Sequence, residues 1–138
     1  MPIETMNPLE LAHERKRRTD VLRTNRFHAV VLYYGTPGER DEMHCHDQDQ
    51  TFYAIDGECT LHFPDGGQAV LKPGMLATIT GGSFYQLENS GDGPMVMLLN
   101  RSGARAKKID YETRKEVVEH RKTVPTSAQT LAKEEAHG

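Results

Sequence analysis

Two histidines two residues apart, His44 and His46, and a glutamine four residues further on, Gln50, stand in the stretch GERDEMHCHDQDQTFYAIDG over residues 38–57. Along an extended strand side chains alternate between faces, so His44 and His46 point to one side and Cys45 to the other. Two imidazoles converging from one strand are a ready pair of metal ligands, since neutral imidazole suits zinc, iron, copper and nickel alike. Gln50, at an even offset, brings an amide oxygen towards the same point if the chain stays extended through Asp47, Gln48 and Asp49. Should that loop bulge, Asp49 takes the place instead. An amide oxygen is a neutral and weaker donor than a carboxylate, so Gln50 either ligates or hydrogen-bonds to a metal-bound water or a substrate. Parity turns Cys45 outward and removes it from the ligand set.

Short, regular strands have to hold these residues. Residues 27–34 (FHAVVLYY) are β-branched and aromatic, follow strand-forming sequence that begins near Val21, and precede the turn GTPG. Residues 51–56 lead into Asp56-Gly57, a hairpin signal, and 59–63 return to the turn PDGG. Further strands are expected at 69–71, 75–80, 84–87 and 95–100, separated by KPG, GG and the loop 89–94. Strands and turns this regular read as an antiparallel sandwich or barrel rather than as βαβ units. Ahead of them, Asn7-Pro8-Leu9-Glu10 has an N-cap, a proline at the first helical position and a Glu at the third. The spacing predicts a helix to about Arg18, with Leu9, Leu11 and Ala12 as its apolar side and a solvated basic end suited to the helix dipole. After Arg101 the apolar pattern stops. Residues 110–122 read as a charged surface helix or a swapped arm around Val117 and Val118, and 125–138 have a disordered composition. The expected organisation is a helical segment over 1–20, a β-domain over 21–103 and a charged, partly disordered extension over 104–138.

The spacing Gly38, five residues, His44-x-His46, three residues, Gln50, six residues, Gly57 resembles the first motif of the cupins, small β-barrel proteins. The family has Glu where this chain has Gln50. Its second motif is matched in spacing by Gly74, Thr80 in the place of Pro, Gly82, Tyr85 in the place of the family's His, and Asn89. The resemblance covers residues 27–100 and implies an all-β fold, a single antiparallel cupin-type barrel (double-stranded β-helix or jelly roll). It also implies one divalent transition metal at His44, His46, Gln50 and Tyr85, with iron ahead of manganese, nickel or zinc. A homodimer built by sheet-to-sheet packing or by exchange of an N-terminal segment is implied as well. Tyr85 stands in the family's fourth ligand place. As a phenolate on iron it would favour the ferric state; off the metal it leaves positions open for dioxygen and substrate, or acts as general acid or base beside a Lewis-acidic ion. Tyr85 and Gln50 are therefore the candidate catalytic residues.

A chain of 138 residues is most simply one domain, and a net charge of −3 gives no global pull towards nucleic acid or an anionic membrane. No apolar run approaches the roughly 20 residues needed to cross a bilayer, and the N-terminus lacks the apolar core of a signal peptide. Cys45 and Cys59 are then expected as reduced thiols in a cytoplasmic protein. No phosphate-binding glycine loop, G-x-S-x-G or C-x-x-C occurs. His28 and His62 lie on expected strands and are weaker site candidates. Tyr53, Met95 and Met97 read as core or cavity wall, Phe84 as a core aromatic, and His13, His120 and His137 carry no role. The leading reading is a metalloenzyme acting on a small oxygenated organic substrate, with dioxygenase-type oxidation favoured. The alternatives are a non-redox metal-dependent isomerase, cyclase or lyase, and a non-catalytic small-molecule binder. An interaction module working through the charged ends comes last.

Overall fold

The computed structural model describes residues 2–103 and 107–117. The one helix among the described residues, α1 (Pro8–Arg15), starts as the sequence dictates: the Asn7 side chain accepts the Glu10 N–H at 3.1 Å and Pro8 opens the first turn. It stops short of Arg18 because Lys16 adopts a left-handed conformation (φ 56°), its N–H closing on the Ala12 carbonyl at 2.7 Å. That reversal lets the chain enter the first strand at Thr19. No helix among the described residues is long and apolar enough to cross a membrane.

Ten strands follow: β1 (Thr19–Arg23), β2 (Phe27–Tyr34), β3 (His44–His46), β4 (Gln50–Asp56), β5 (Cys59–His62), β6 (Gln68–Leu71), β7 (Leu76–Ile79), β8 (Gln86–Asn89), β9 (Met95–Ser102) and β10 (Lys108–Asp110). All pairings are antiparallel, in a five-stranded sheet β1-β2-β9-β4-β7, a three-stranded sheet β6-β5-β8 and the pair β10-β3. The barrel interior is lined by alternate residues of these strands: Val30 and Leu32 from β2, Phe52 and Ala54 from β4, Leu61 from β5, Leu87 from β8, and Met95, Met97 and Leu99 from β9. The opposite face of the five-stranded sheet receives α1, whose buried Ala12 meets Val31 and Val96 beside Leu9, Leu11 and Val21. At the tip of the β4–β5 hairpin Gly57 is required twice over. Its φ is +77°, and a Cβ there would stand 2.3 Å from the Pro94 carbonyl oxygen. Asn89 closes the far loops, its buried amide donating to the carbonyls of Tyr34, Gly93 and Thr36 at 2.9, 3.0 and 3.2 Å.

Several sequence expectations change. Lys108–Asp110 is a strand against β3, and residues 111–117 form a turn rather than a helix. Cys45 does leave the barrel interior, yet it is buried, with Ile109 of β10 beside it in the sheet register. Tyr53 points out of the sheet and is 41% exposed, whereas Met95 and Met97 are core. Phe84 precedes β8 and packs against Tyr111 and the Arg114 guanidinium rather than in the core. The expectations for residues 118–138, including His120 and His137, lie outside the described residues.

Candidate metal centre

Strand β3 is held from both sides, and this brings the chemistry together. On one side lies β10. On the other, the second motif clamps it: His44 and Tyr85 exchange backbone hydrogen bonds at 2.9 and 2.8 Å, and the Gly82 N–H donates to the His46 carbonyl at 2.8 Å. Gly82 can do this with a φ of +85°. The His44 ring therefore faces the Tyr85 ring at 4.7 Å between centroids, and the His46 ring stands edge-on to His44 at 4.9 Å. Gln50 arrives from β4, and its Nε2 donates to the Tyr85 hydroxyl at 3.0 Å. Two consecutive strands and a segment 35 residues beyond Gln50 thus assemble one cluster, with His44, His46, Gln50 and Tyr85 all buried. Period-two alternation puts both imidazoles on one side; the chain bends at Asp47 and Gln48 instead of staying extended, and Gln50 joins the cluster through the Tyr85 hydroxyl.

The tautomers follow from the partners. The His44 Nδ1 lies 2.7 Å from the Glu42 carbonyl oxygen, so Nδ1–H donates there and Nε2 keeps its lone pair. The His46 Nδ1 is buried with no hydrogen-bond partner. Burial pushes His44 down to about 4, and burial together with the Arg101 charge pushes His46 well below the ordinary histidine range. Both rings are therefore neutral, the form that ligates a metal. Burial raises the Tyr85 hydroxyl to about 12, against the pull of Arg101 and the Gln50 hydrogen bond, so it is a phenol at neutral pH.

This donor set fits a divalent ion. Among the described residues no three of His, Cys, Asp and Glu gather, so two imidazoles are the strong donors and the Gln50 and Tyr85 oxygens the weak ones. An unsatisfied buried nitrogen costs about 1–3 kcal/mol, and the partnerless His46 Nδ1 marks a ring that the protein interior does not satisfy by itself. The other sequence candidates stand apart. His62 turns outward to Glu88 at 2.6 Å, and Asp49 accepts the Gly81 N–H at 2.9 Å. Asp47 binds the Lys107 N–H at 2.9 Å. His28 faces inward at the end of β2 but spends its Nε2 on Asp20 at 2.8 Å. Cys59 is a core thiol that burial lifts to about 12.

One residue was missed. Arg101 is 7% exposed, lies in register between His28 of β2 and Gln50 of β4, and its charge bears on His44, His46 and Tyr85 alike. The signal was available: Met95, Met97, Leu99 and Arg101 occupy successive inward positions of one strand, and a charge in the fourth breaks the pattern. At the end of β4, β7 and β9 a cleft of about 580 Å³ is lined mainly by Phe27, Thr51, Thr78, Asn100 and Ser102, the outward positions of the sheet, with Gln50 and Arg101 at its edge. Gln50 is the residue shared by this cleft and the imidazole cluster.

Comparison with known proteins agrees with this geometry. The family model described as Cupin domain matches residues 33–99. A Klebsiella pneumoniae protein described as uncharacterized, with a double-stranded β-helix domain, is 26% identical, superimposes with a TM-score of 0.61, and is matched over 74% of this chain and 84% of its own. KdgF from a Halomonas species (20% identity, TM-score 0.56, 62% of this chain and 78% of that one) shares the fold. So does the polyketide cyclase RemF from Streptomyces resistomycificus (18%, TM-score 0.56, 62% and 63%). No protein of curated function matches the sequence significantly. Two motifs in register, an antiparallel double-stranded β-helix that brings them face to face, and the family match identify residues 33–99 as a cupin domain.

Proposed function

We propose that the protein is a mononuclear-metal enzyme that carries out a non-redox proton transfer, of the isomerase, cyclase or lyase kind, on a small oxygenated molecule. His44 and His46 hold the ion, with Gln50 in reach of it. Bound there, a divalent metal supplies Lewis acidity that polarises a carbonyl or hydroxyl oxygen. The observation that carries the reading is the Tyr85 hydroxyl, a buried phenol whose oxygen takes a hydrogen bond from the Gln50 amide at 3.0 Å. No member of the set His44, His46, Gln50 and Tyr85 is then an anion. Nothing among these donors offsets the higher charge that an oxidised metal would carry, which favours Lewis-acid over oxidative chemistry.

Tyr85 gives its Oη proton to the substrate and takes it back, acting as general acid and then base. The Gln50 Nε2–H stabilises the charge that develops on Oη as the proton leaves. The Glu42 carbonyl fixes the His44 ring, and burial keeps bulk water from competing for these hydrogen bonds.

The dioxygenase reading favoured by the sequence needs Tyr85 as a phenolate or the metal open to dioxygen. Elemental analysis and absorption spectra of protein purified without added metal separate the cases. A colourless protein with one divalent ion per chain is expected, and Tyr85→Phe should keep that ion. An iron–phenolate charge-transfer band would place Tyr85 on the metal as an anion and overturn the proton-transfer role. A metal-free protein that still gains thermal stability with one ligand would make it a binder. For the assembly we propose a homodimer through the outer face of the five-stranded sheet, where Tyr53 and Leu76 are 41% and 56% exposed. Light scattering should give twice the chain mass, and a monomer would sink that proposal.

A further inference from the structure

The basic run over residues 15–18 does not stay together. Arg15 ends α1 and is exposed, and Lys16 turns the chain back with its φ of 56°. Arg18 is the last residue before β1, whose alternation is fixed by its neighbours. Thr19 pairs with Val31, and Val21 packs with Val31 beneath α1, whereas Asp20 pairs with Val30 of the barrel interior. One step further along that register Arg18 comes level with Leu32, an inward residue. Its charge is felt where that placement requires: it bears on His28 and Tyr34 of β2, on His46 of β3 and on Tyr85. Arg18 itself is only half-buried, while His46 and Tyr85 are 7% and 1% exposed. The side chain therefore runs from solvent to the neighbourhood of the buried centre. Among the described residues its guanidinium makes no hydrogen bond and no ion pair. Asp20, the acid next to it on that face, gives one oxygen to His28 Nε2 at 2.8 Å and the other to Arg23 Nη1 at 3.2 Å. Asp41, whose charge meets that of Arg18 at Tyr34 and Tyr85, accepts the Leu87 N–H at 2.8 Å. A guanidinium carries five N–H donors, and one left unpaired at the edge of an interior suits a partner from outside.

We propose that Arg18 is the specificity-determining residue of the candidate centre and takes the carboxylate of a small hydroxy or keto acid, whose oxygenated carbon reaches His44 and His46. This rests on the reading of that centre as the reaction site. A carboxylate is matched by the planar fork of a single guanidinium through two parallel hydrogen bonds. A phosphate is the poorer fit, since the chain has no glycine loop of the phosphate-binding kind. His44, His46, Gln50 and Tyr85 are all neutral, so the charge of such a substrate meets no anion in the donor set. A bound divalent ion would add to the attraction.

The test compares acids with their uncharged amides: glycolate with glycolamide, and pyruvate with pyruvamide. Each is titrated calorimetrically into the full chain, once zinc-loaded and once stripped by chelator. Both acids should bind at least about tenfold tighter than their amides in either form, and Arg18→Gln should erase most of that preference with zinc content unchanged. The melting temperature should barely move, since the side chain makes no bond within the described protein. Arg15→Gln removes a charge of the same run from the exposed helix end and should keep the full preference. An equal loss in Arg15→Gln would reduce the effect to general attraction by the basic run and overturn the assignment. So would an Arg18→Gln protein that still prefers acids, or a wild type that binds acid and amide alike or binds neither. The stripped protein separates this inference from the proposed reaction. An acid preference that persists without zinc and vanishes in Arg18→Gln upholds the carboxylate site even if no metal-dependent turnover exists. A preference seen only with zinc and kept in Arg18→Gln places the carboxylate on the metal and overturns the role of Arg18. Should Arg18→Gln fail to fold, Arg18→Lys decides, because it keeps the charge and loses the fork. Several-fold weaker acid binding is expected, and unchanged acid binding overturns the proposal.

Discussion

Two neighbouring rungs of the same sheet face the same interior and behave oppositely. One runs His28–Arg101–Gln50 across β2, β9 and β4; the next, two residues along each strand, runs Val30–Leu99–Phe52. The second rung is dry and apolar and continues into Leu32, Met97 and Ala54. The first carries a charge, an amide and an imidazole at comparable burial. A polar group in a low-dielectric interior is costly unless partnered, so the first rung depends on partners beyond it, His28 on Asp20 and Gln50 on Tyr85, where the second needs only packing. Stability and chemistry are thus separated by one step of about 7 Å along each strand.

The contrast can be broken from either side. Met97→Ala, in the apolar layer, should lower the unfolding free energy by about 2–5 kcal/mol, read from urea melts, and leave metal stoichiometry intact. His46→Ala should do the reverse. It should weaken metal binding by more than the roughly 100-fold typical of losing an outer-shell partner. Stability of the stripped protein should change little, since the ring removed carries an unsatisfied nitrogen. A His46→Ala protein that retains full metal would show that the polar rung is not a metal edge. Gln50→Glu restores an anionic donor and should tighten divalent-metal binding by about tenfold, measured by chelator competition.

The smallest effect concerns pH. Burial raises Asp41 to about 7, so folding takes up a proton between its unfolded value of 3.8 and that point. The stability from this group is present at low pH and is lost as pH rises through 7. His44, lowered to about 4, works the other way: its contribution is complete above 6.5 and is lost as pH falls towards 4, with His46 adding in the same direction. In wild type these slopes oppose each other. Asp41→Asn should therefore make the metal-free protein gain stability more steeply between pH 4 and 6.5, by up to about 1.4 kcal/mol per pH unit, as thermal melts across that range would show. An unchanged slope would mean that Asp41 titrates normally.

How much of this could be read from the chain depends on where the information sits. Helix α1 was legible because Asn7, Pro8 and Glu10 are local signals, and β2 because FHAVVLYY admits no other period. The convergence of His44, His46 and Tyr85 was legible through motif spacing, since strand parity is a strict rule. Strand β10 was not, because Lys-Ile-Asp has one apolar residue and its pairing partner lies some sixty residues earlier. The burial of Cys45 was not legible either: parity tells which side a residue takes and not what covers that side. Arg101 was visible in the alternation of β9, but its meaning came from Gln50 standing opposite, which is a fact of register.

The late pairing of β10 with β3 sets a schedule for biogenesis. A polypeptide emerging from the ribosome has His44, His46, Gln50 and Tyr85 in hand well before Lys108 appears. Until then the strand bearing both imidazoles lacks one of its two flanking neighbours. An ion taken up at the proposed centre would therefore find its strand flanked on both sides only in the finished chain.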